Sequence, residues 1–236
     1  NKPLIILGQN IPKGKRTVLD IEVAKLHTRT TVKVPVIIER SKVQGPVILL
    51  LAGVHGDEIN GVSIIREIIN KKLNVPKKGT IICIPVFNIF GYLIQTREFP
   101  DGRDLNRMFP GSLNGSLASQ FAHQFTKEIA PFVDYVIDYH TGGGERDNIT
   151  QIRLDTSEEK TLELANVFNP PFIVHSSYIA KSLRESLKKM GKTVLLFEGG
   201  KSKNLDPIVI NHGIRGTKNV LTHLGFIDCN ISHTLK

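Results

Sequence analysis

Apolar and polar residues alternate with a period of two at residues 17–23 and again at 31–38, where Val32, Val34 and Val36 share one face, so the opening of the chain predicts a pair of β-strands. From Pro46 onward the pattern changes. Largely apolar runs at 47–52, 80–87, 135–139, 172–174 and 193–197 alternate with segments of helical period at 59–72, 117–129, 158–168, 181–190 and 216–224. Apolar strands interleaved with amphipathic helices predict an α/β fold of three layers, a mostly parallel or mixed central sheet with helices on both faces, preceded by N-terminal β-strands. Residues 88–116 hold Gly91, Pro100, Gly102, Pro110, Gly111 and Gly115 and keep neither period. A loop of that length inside a compact domain usually serves function. No repeat, low-complexity tract or linker divides the chain, so a single domain over 1–236 is expected, with 1–45 as an N-terminal β segment and 46–236 as the α/β core.

At 236 residues such a domain buries a full core without disulfide or metal staples, so any metal here would serve chemistry. No apolar run approaches the roughly 18 residues of a membrane span. Residues 1–9 are apolar but too short and wrongly flanked for a signal peptide. A cytoplasmic location without a membrane partner is the expectation. Cys83, inside an apolar run, and Cys229, near the end, are too few for a disulfide framework or a thiolate zinc site and read as packing residues. The net charge of +9 suits an anionic partner, although lysine pairs such as Lys71 and Lys72 or Lys188 and Lys189 fall at predicted helix ends or turns. With no tryptophan and no RNA-binding aromatic signature, nucleic acid is not expected.

Candidate chemistry gathers where the apolar runs end. The first empties into Gly53-Val54-His55-Gly56-Asp57-Glu58, a later one delivers His140-Thr141-Gly142, and the last delivers Glu198-Gly199-Gly200. Carboxyl ends of strands are where open α/β sheets place their sites. His55 and Glu58 are three apart, so a strand-to-helix turn can aim both at one point, and a third ligand from a distant strand leaves a position for water, as in catalytic zinc sites. A lone histidine near an apolar strand is more often structural, but four such groups reaching one edge together favour a site. Asp101-Gly102-Arg103-Asp104-Leu105-Asn106-Arg107 adds two arginines and an asparagine that can fork onto a carboxylate, with Asp104 placed to orient a histidine, although composition alone reads as a solvated surface turn.

The ordered set Gly53–Glu58, Asp104-Leu105-Asn106-Arg107-Met108-Phe109-Pro110-Gly111, Asp138-Tyr139-His140-Thr141-Gly142 and Phe197-Glu198-Gly199-Gly200 resembles the succinylglutamate desuccinylase and aspartoacylase family, a branch of the zinc carboxypeptidase superfamily. The similarity covers roughly residues 45–225. It implies that His55, Glu58 and His140 bind one zinc ion, that Glu198 is the general base, and that Asn106 and Arg107 hold a substrate carboxylate. It further implies Asp104 as the partner of His55 and Arg103 as a carbonyl or carboxylate contact, although the desuccinylases carry the equivalent arginine further upstream, near where Phe99 stands. Arg146, Arg153 and Arg184 lie in segments similar to less characterised members and are candidate substrate contacts.

The activity implied is hydrolysis of the amide bond of a small, anionic N-acyl amino acid or related carboxylated amide by metal-activated water. Two other readings use the same residues: a zinc carboxypeptidase acting on peptide C-termini, and a noncatalytic metal-binding module. A homo-oligomer is left open. Members of the family commonly carry a β-rich C-terminal domain, and it is expected to be absent from 1–236. Gly142-Gly143-Gly144 and Met190-Gly191-Lys192-Thr193 read as turns instead of phosphate loops, the second because Ser186 replaces the earlier glycine and a strand follows. No Gly-x-Ser-x-Gly elbow is present. His175, following the run that ends at Val174, is the one rival ligand, whereas His27, His123, His212, His223 and His233 have no constellation around them.

Overall fold

The computed structural model describes residues 3–144 and 146–228. Strands β1 (Ile5–Ile6) and β2 (Gln9–Asn10) form a small antiparallel ribbon. A sheet of eight strands follows, in the spatial order β3-β4-β6-β5-β7-β10-β8-β9. Its centre, β6 (Thr80–Ile84), β5 (Val47–Ala52), β7 (Tyr135–Gly142) and β10 (Thr193–Lys201), is parallel throughout. The long hairpin of β3 (Lys15–Lys25) and β4 (Thr31–Arg40) joins one side antiparallel to β6. On the other side β8 (Asn148–Leu154) runs antiparallel to β10 and parallel to the edge strand β9 (Phe172–His175).

Helices cover both faces, so the fold is the α/β three-layer arrangement with a mixed sheet that the patterning predicts. Every residue of β5 is buried, and alternation divides them: Leu49 and Leu51 join one core, while Ile48, Leu50 and Ala52 join the other. The first core is closed by α3 (Leu117–Glu128) and α5 (Leu183–Lys189), through Phe121, Phe125, Leu183 and Leu187. The second is closed by α1 (Ile59–Asn70), α4 (Glu159–Phe168) and α6 (Pro207–His223), through Ile64, Ile68, Phe168 and Val220. No helix among the described residues is long and apolar enough to cross a membrane. Cys83 is buried and free, with its thiol pushed up to about 12 by burial; Cys229 and His233 lie outside the described residues.

Three differences from the sequence pattern have physical causes. Helix α6 begins at Pro207, nine residues before the predicted start at Gly216. Asp206 caps it, its Oδ1 accepting from Ile208 N at 2.8 Å, and proline suits the first turn. The run Ile208-Val209-Ile210 with Gly213 and Gly216 has poor helix propensity, which tertiary packing overrides. Strand β8 falls where no element is predicted. The irregular segment 88–116 contains a short helix α2 (Ile89–Ile94), capped by Asn88, and a 3-10 turn (Leu105–Arg107), capped by Asp104.

The glycines of α6 set how closely it approaches its neighbours. A Cβ at Gly216 would lie 2.1 Å from the ring of the fully buried Phe168. Alanine raises intrinsic helix stability by about 1 kcal/mol over glycine. Here overpacking, typically about 1–3 kcal/mol, outweighs it. Gly216→Ala is therefore expected to lower the denaturant midpoint, and an unchanged or raised midpoint would show that α4 and α6 can separate without cost.

Candidate active site

Because β5, β7 and β10 are adjacent and parallel, their carboxyl ends deliver side chains to one edge of the sheet. His55 sits in the turn after β5, Glu58 is the residue before α1, and His140 and Glu198 are register partners on β7 and β10. The turn carrying His55 lies hard against α2. A Cβ on Gly56 would fall 1.9 Å from the Gly91 carbonyl carbon, so only glycine lets these backbones touch.

His55, Glu58 and His140 are buried, and one ligand atom from each lies within 4.8 Å of the others. Glu58 forms the hub: its Oε1 is 2.8 Å from His55 Nδ1, and its Oε2 is 2.8 Å from His140 Nδ1 and accepts from Thr141 N at 3.1 Å. The outward nitrogens of both rings face carboxylates. His55 Nε2 is 3.1 Å from Asp104 Oδ1, and His140 Nε2 is 3.0 Å from Asp138 Oδ2, although the latter pair is not aligned as a hydrogen bond. Carboxylates behind the far nitrogens orient each ring so that Nδ1 faces the shared point, the usual support for a metal-binding imidazole. Two imidazoles and a carboxylate held this way suit a divalent ion such as zinc.

Electrostatics follow from the burial. Removal from water would by itself lower both imidazoles, but Glu58 and Asp104 raise His55, and Asp138 and Glu58 raise His140 well above the ordinary range. Burial would raise Glu58, yet His55 and His140 hold it well below the usual carboxylate range. Glu198 goes the other way: burial pushes it up, and His140, Arg153 and Asn148 offset that only in part.

A cleft of about 480 Å³ opens over this cluster, lined also by Arg97, Asn106, Arg107, Arg146, Arg153, Arg184 and Glu198. Asn106 Oδ1 accepts from Leu183 N at 2.8 Å, which leaves its amide N–H groups for the cleft. Arg107 donates to the Asn106 carbonyl at 2.7 Å. Arg146 is exposed at the rim. Arg184 is buried, and its guanidinium donates to the carbonyls of Arg153, Ser176 and Ser177 at 3.1, 3.1 and 2.7 Å, so its contacts are structural.

Arg103 does not join the cleft. Its side chain is 55% exposed and pairs with Asp101 at 3.8 Å, because Phe99 is drawn into the core against Phe121 and the turn at Gly102 swings Arg103 outward. Arg97 stands there instead, with Nη2 2.8 Å from Asp104 Oδ2 and Nη1 3.3 Å from Glu58 Oε1. The upstream arginine that the resemblance implies, near the position of Phe99, was the signal for Arg97, which stands two residues before Phe99. Asp138 and Asn148 were also missed. His175 is exposed, bonds Thr156 Oγ1 at 3.0 Å and stays outside the cluster.

Residues 44–224 match the succinylglutamate desuccinylase/aspartoacylase catalytic domain. The chain belongs to this family. A curated relative, N-alpha-acetyl-L-2,4-diaminobutyric acid deacetylase from Halomonas elongata, is 31% identical along an alignment of 195 positions that covers 78% of this chain and 56% of the relative. The chain thus matches little more than half of that relative's length. The crystal structure of succinylglutamatedesuccinylase/aspartoacylase from Rhodobacter sphaeroides is 28% identical with a TM-score of 0.84, covering 94% of this chain and 69% of the other. The product-bound ectoine utilization protein EutE (DoeB) from Ruegeria pomeroyi, 24% identical with a TM-score of 0.84 over 95% of this chain and 72% of its own, shares the fold.

For this member of the family, the carboxylate behind His140 has a measurable consequence. If His55, Glu58 and His140 hold a divalent ion, Asp138→Asn is expected to weaken its binding roughly 10–100-fold, read by zinc titration in competition with a chromophoric chelator. Affinity equal to that of the unsubstituted protein would mean that Asp138 does not support His140 as a ligand.

Proposed function

We propose that this chain carries the catalytic site of a zinc-dependent amidohydrolase acting on a small N-acyl amino acid or related carboxylated amide. The observation that carries the proposal is the buried His55, Glu58 and His140 cluster opening into the same cleft as a carboxylate whose basicity is raised. Family membership and the curated deacetylase relative support amide hydrolysis. His55, Glu58 and His140 would hold the ion. When bound, zinc supplies Lewis acidity and brings the pKa of water toward about 7.

Glu198 then has two tasks. It accepts a proton from the attacking water, and it returns that proton to the departing amine nitrogen. Raised basicity suits both, since a carboxyl group nearer the working pH exchanges protons more readily. Arg97 is placed to meet the developing negative charge on the amide oxygen, in the role expected of Arg103. Arg107 and the Asn106 amide face the cleft as carboxylate donors, and a planar guanidinium suits that task better than lysine would. Arg146 at the rim is assigned to substrate charge, whereas Arg184 is assigned to holding the cleft wall.

Zinc-loaded protein assayed on N-acyl amino acids and on short peptides separates this reading from a carboxypeptidase and from a noncatalytic metal-binding module. Amine release from the acyl amino acids is expected, and turnover confined to peptides, or none, would overturn the proposal. Glu198→Gln is expected to keep zinc while losing roughly 100-fold or more in kcat, since proton transfer by a placed side chain contributes about 10²–10⁴-fold.

A pH profile adds a second test. Glu198 works as the carboxylate and its pKa is raised, so the acidic limb of kcat/KM should fall above the ordinary glutamate value of about 4.3, with activity lost as pH drops through it. A limb at or below that value would point to a different base.

A further inference from the structure

The strand that the sequence pattern does not announce supplies the neighbours of Glu198. On β8, Thr150, Ile152 and Leu154 are buried on one side, with Ile152 and Leu154 in the core beneath α4 and α6. Arg153 faces the cleft, opposite Leu196 in the ladder with β10. Strict alternation would turn Asn148 toward the helices with Thr150. It does not go there. Pairing runs from Glu198 opposite Gln151 to Gly200 opposite Asn148, two steps on β10 against three on β8. The extra residue is a β-bulge, which re-aims the side chain beyond it. Asn148 therefore lines the cleft and donates from Nδ2 to Glu198 Oε2 at 2.9 Å. On the opposite oxygen, Arg153 Nη1 stands 3.7 Å from Oε1, too far for a hydrogen bond yet close enough to act by charge.

We propose that β8 clamps the Glu198 carboxylate, with Asn148 holding Oε2 by a hydrogen bond and Arg153 steadying the other side by charge, so that Oε1, which accepts no hydrogen bond from β8, is the oxygen that takes and returns the proton. Both are positioning residues. The inference rests on Glu198 acting as base in the reading above. In the step concerned, an O–H bond of water breaks as its oxygen bonds to the acyl carbon, the C=O π pair moves onto the carbonyl oxygen, and the proton moves to Oε1. The C=O bond then re-forms as the C–N bond breaks, and the amine nitrogen takes that proton from Oε1, leaving a carboxylic acid and an amine. No electrons are gained or lost. An amide donor fits such a clamp because it stays neutral through both transfers, and the carboxylate keeps one free oxygen. The assignment gives Arg153 a task other than the substrate contact expected from sequence.

Asn148→Ala is expected to lower kcat roughly 100-fold, the scale of a misplaced reacting group, with KM within about twofold and zinc content unchanged. Asn148→Asp, which keeps the shape but removes the donor, should be no better. Arg153→Met should show the same split between kcat and KM, and Arg153→Lys should recover part of the loss. A readout independent of turnover is the side-chain carboxyl ¹³C resonance of Glu198, in protein labelled at glutamate and assigned by its disappearance in Glu198→Gln. It should shift in Asn148→Ala with or without zinc. Full activity in Asn148→Asp, a loss lying wholly in KM, or an unmoved resonance would each overturn the clamp. If the unsubstituted enzyme hydrolyses no acyl amino acid, the functional reading falls, and the resonance alone decides whether the clamp exists.

Discussion

A carboxylate removed from water must be compensated, and the arrangement of this protein's cleft follows from how Glu58 meets that demand. It is 2% exposed and is met by both imidazoles, the Thr141 amide and the Arg97 guanidinium. An isolated buried charge would cost several kcal/mol, and losing one partner of a buried pair typically costs about 3–5 kcal/mol. The donors come from the turn after β5, from β7 and from the long segment between β6 and α3, so the charge ties together elements far apart in sequence. A bound cation would take over part of that compensation at the same point, which is why a cluster stable as an ion-pair network is also suited to hold metal.

Compensation extends outward in a chain. Asp104 receives both Arg97 and His55 and caps the 3-10 turn that presents Asn106 and Arg107. Asn106 in turn bonds Leu183 N at the start of α5, and Arg184 in that helix holds the carbonyls of Arg153, Ser176 and Ser177. The irregular segment is thus anchored at its functional end despite having little regular structure. Polar networks of this kind rigidify a site only when their members are satisfied.

The mixed sheet has a chemical consequence. Parallel strands bring His55, His140 and Glu198 to one edge, but a fully parallel neighbour would offer Glu198 only another strand end. An antiparallel β8 instead passes alongside it, and residues five positions apart reach the two oxygens of one carboxylate, with the bulge correcting the facing of one of them. Local irregularity in a strand beside a site is common because it re-aims a side chain without disturbing the ladder further along.

The sequence by itself determined the layered α/β class, most of the strands and helices, and the residues that meet at the sheet edge. Those signals are local: largely apolar runs mark strands buried on both faces, and a strand end followed by glycine marks where the chain turns toward a site. It left β8 unannounced, since the bulge breaks its period of two and Ile149 lies exposed on it. It placed Arg103 in the cleft where Arg97 stands, because only packing decides that Phe99 goes inward and Gly102 turns its neighbour out. Tertiary structure alone assigned Asp138 and Asn148 their partners and gave the Arg184 guanidinium to backbone carbonyls. Which groups face one another across strands depends on register and burial, and these are properties of the assembled sheet that no single segment encodes.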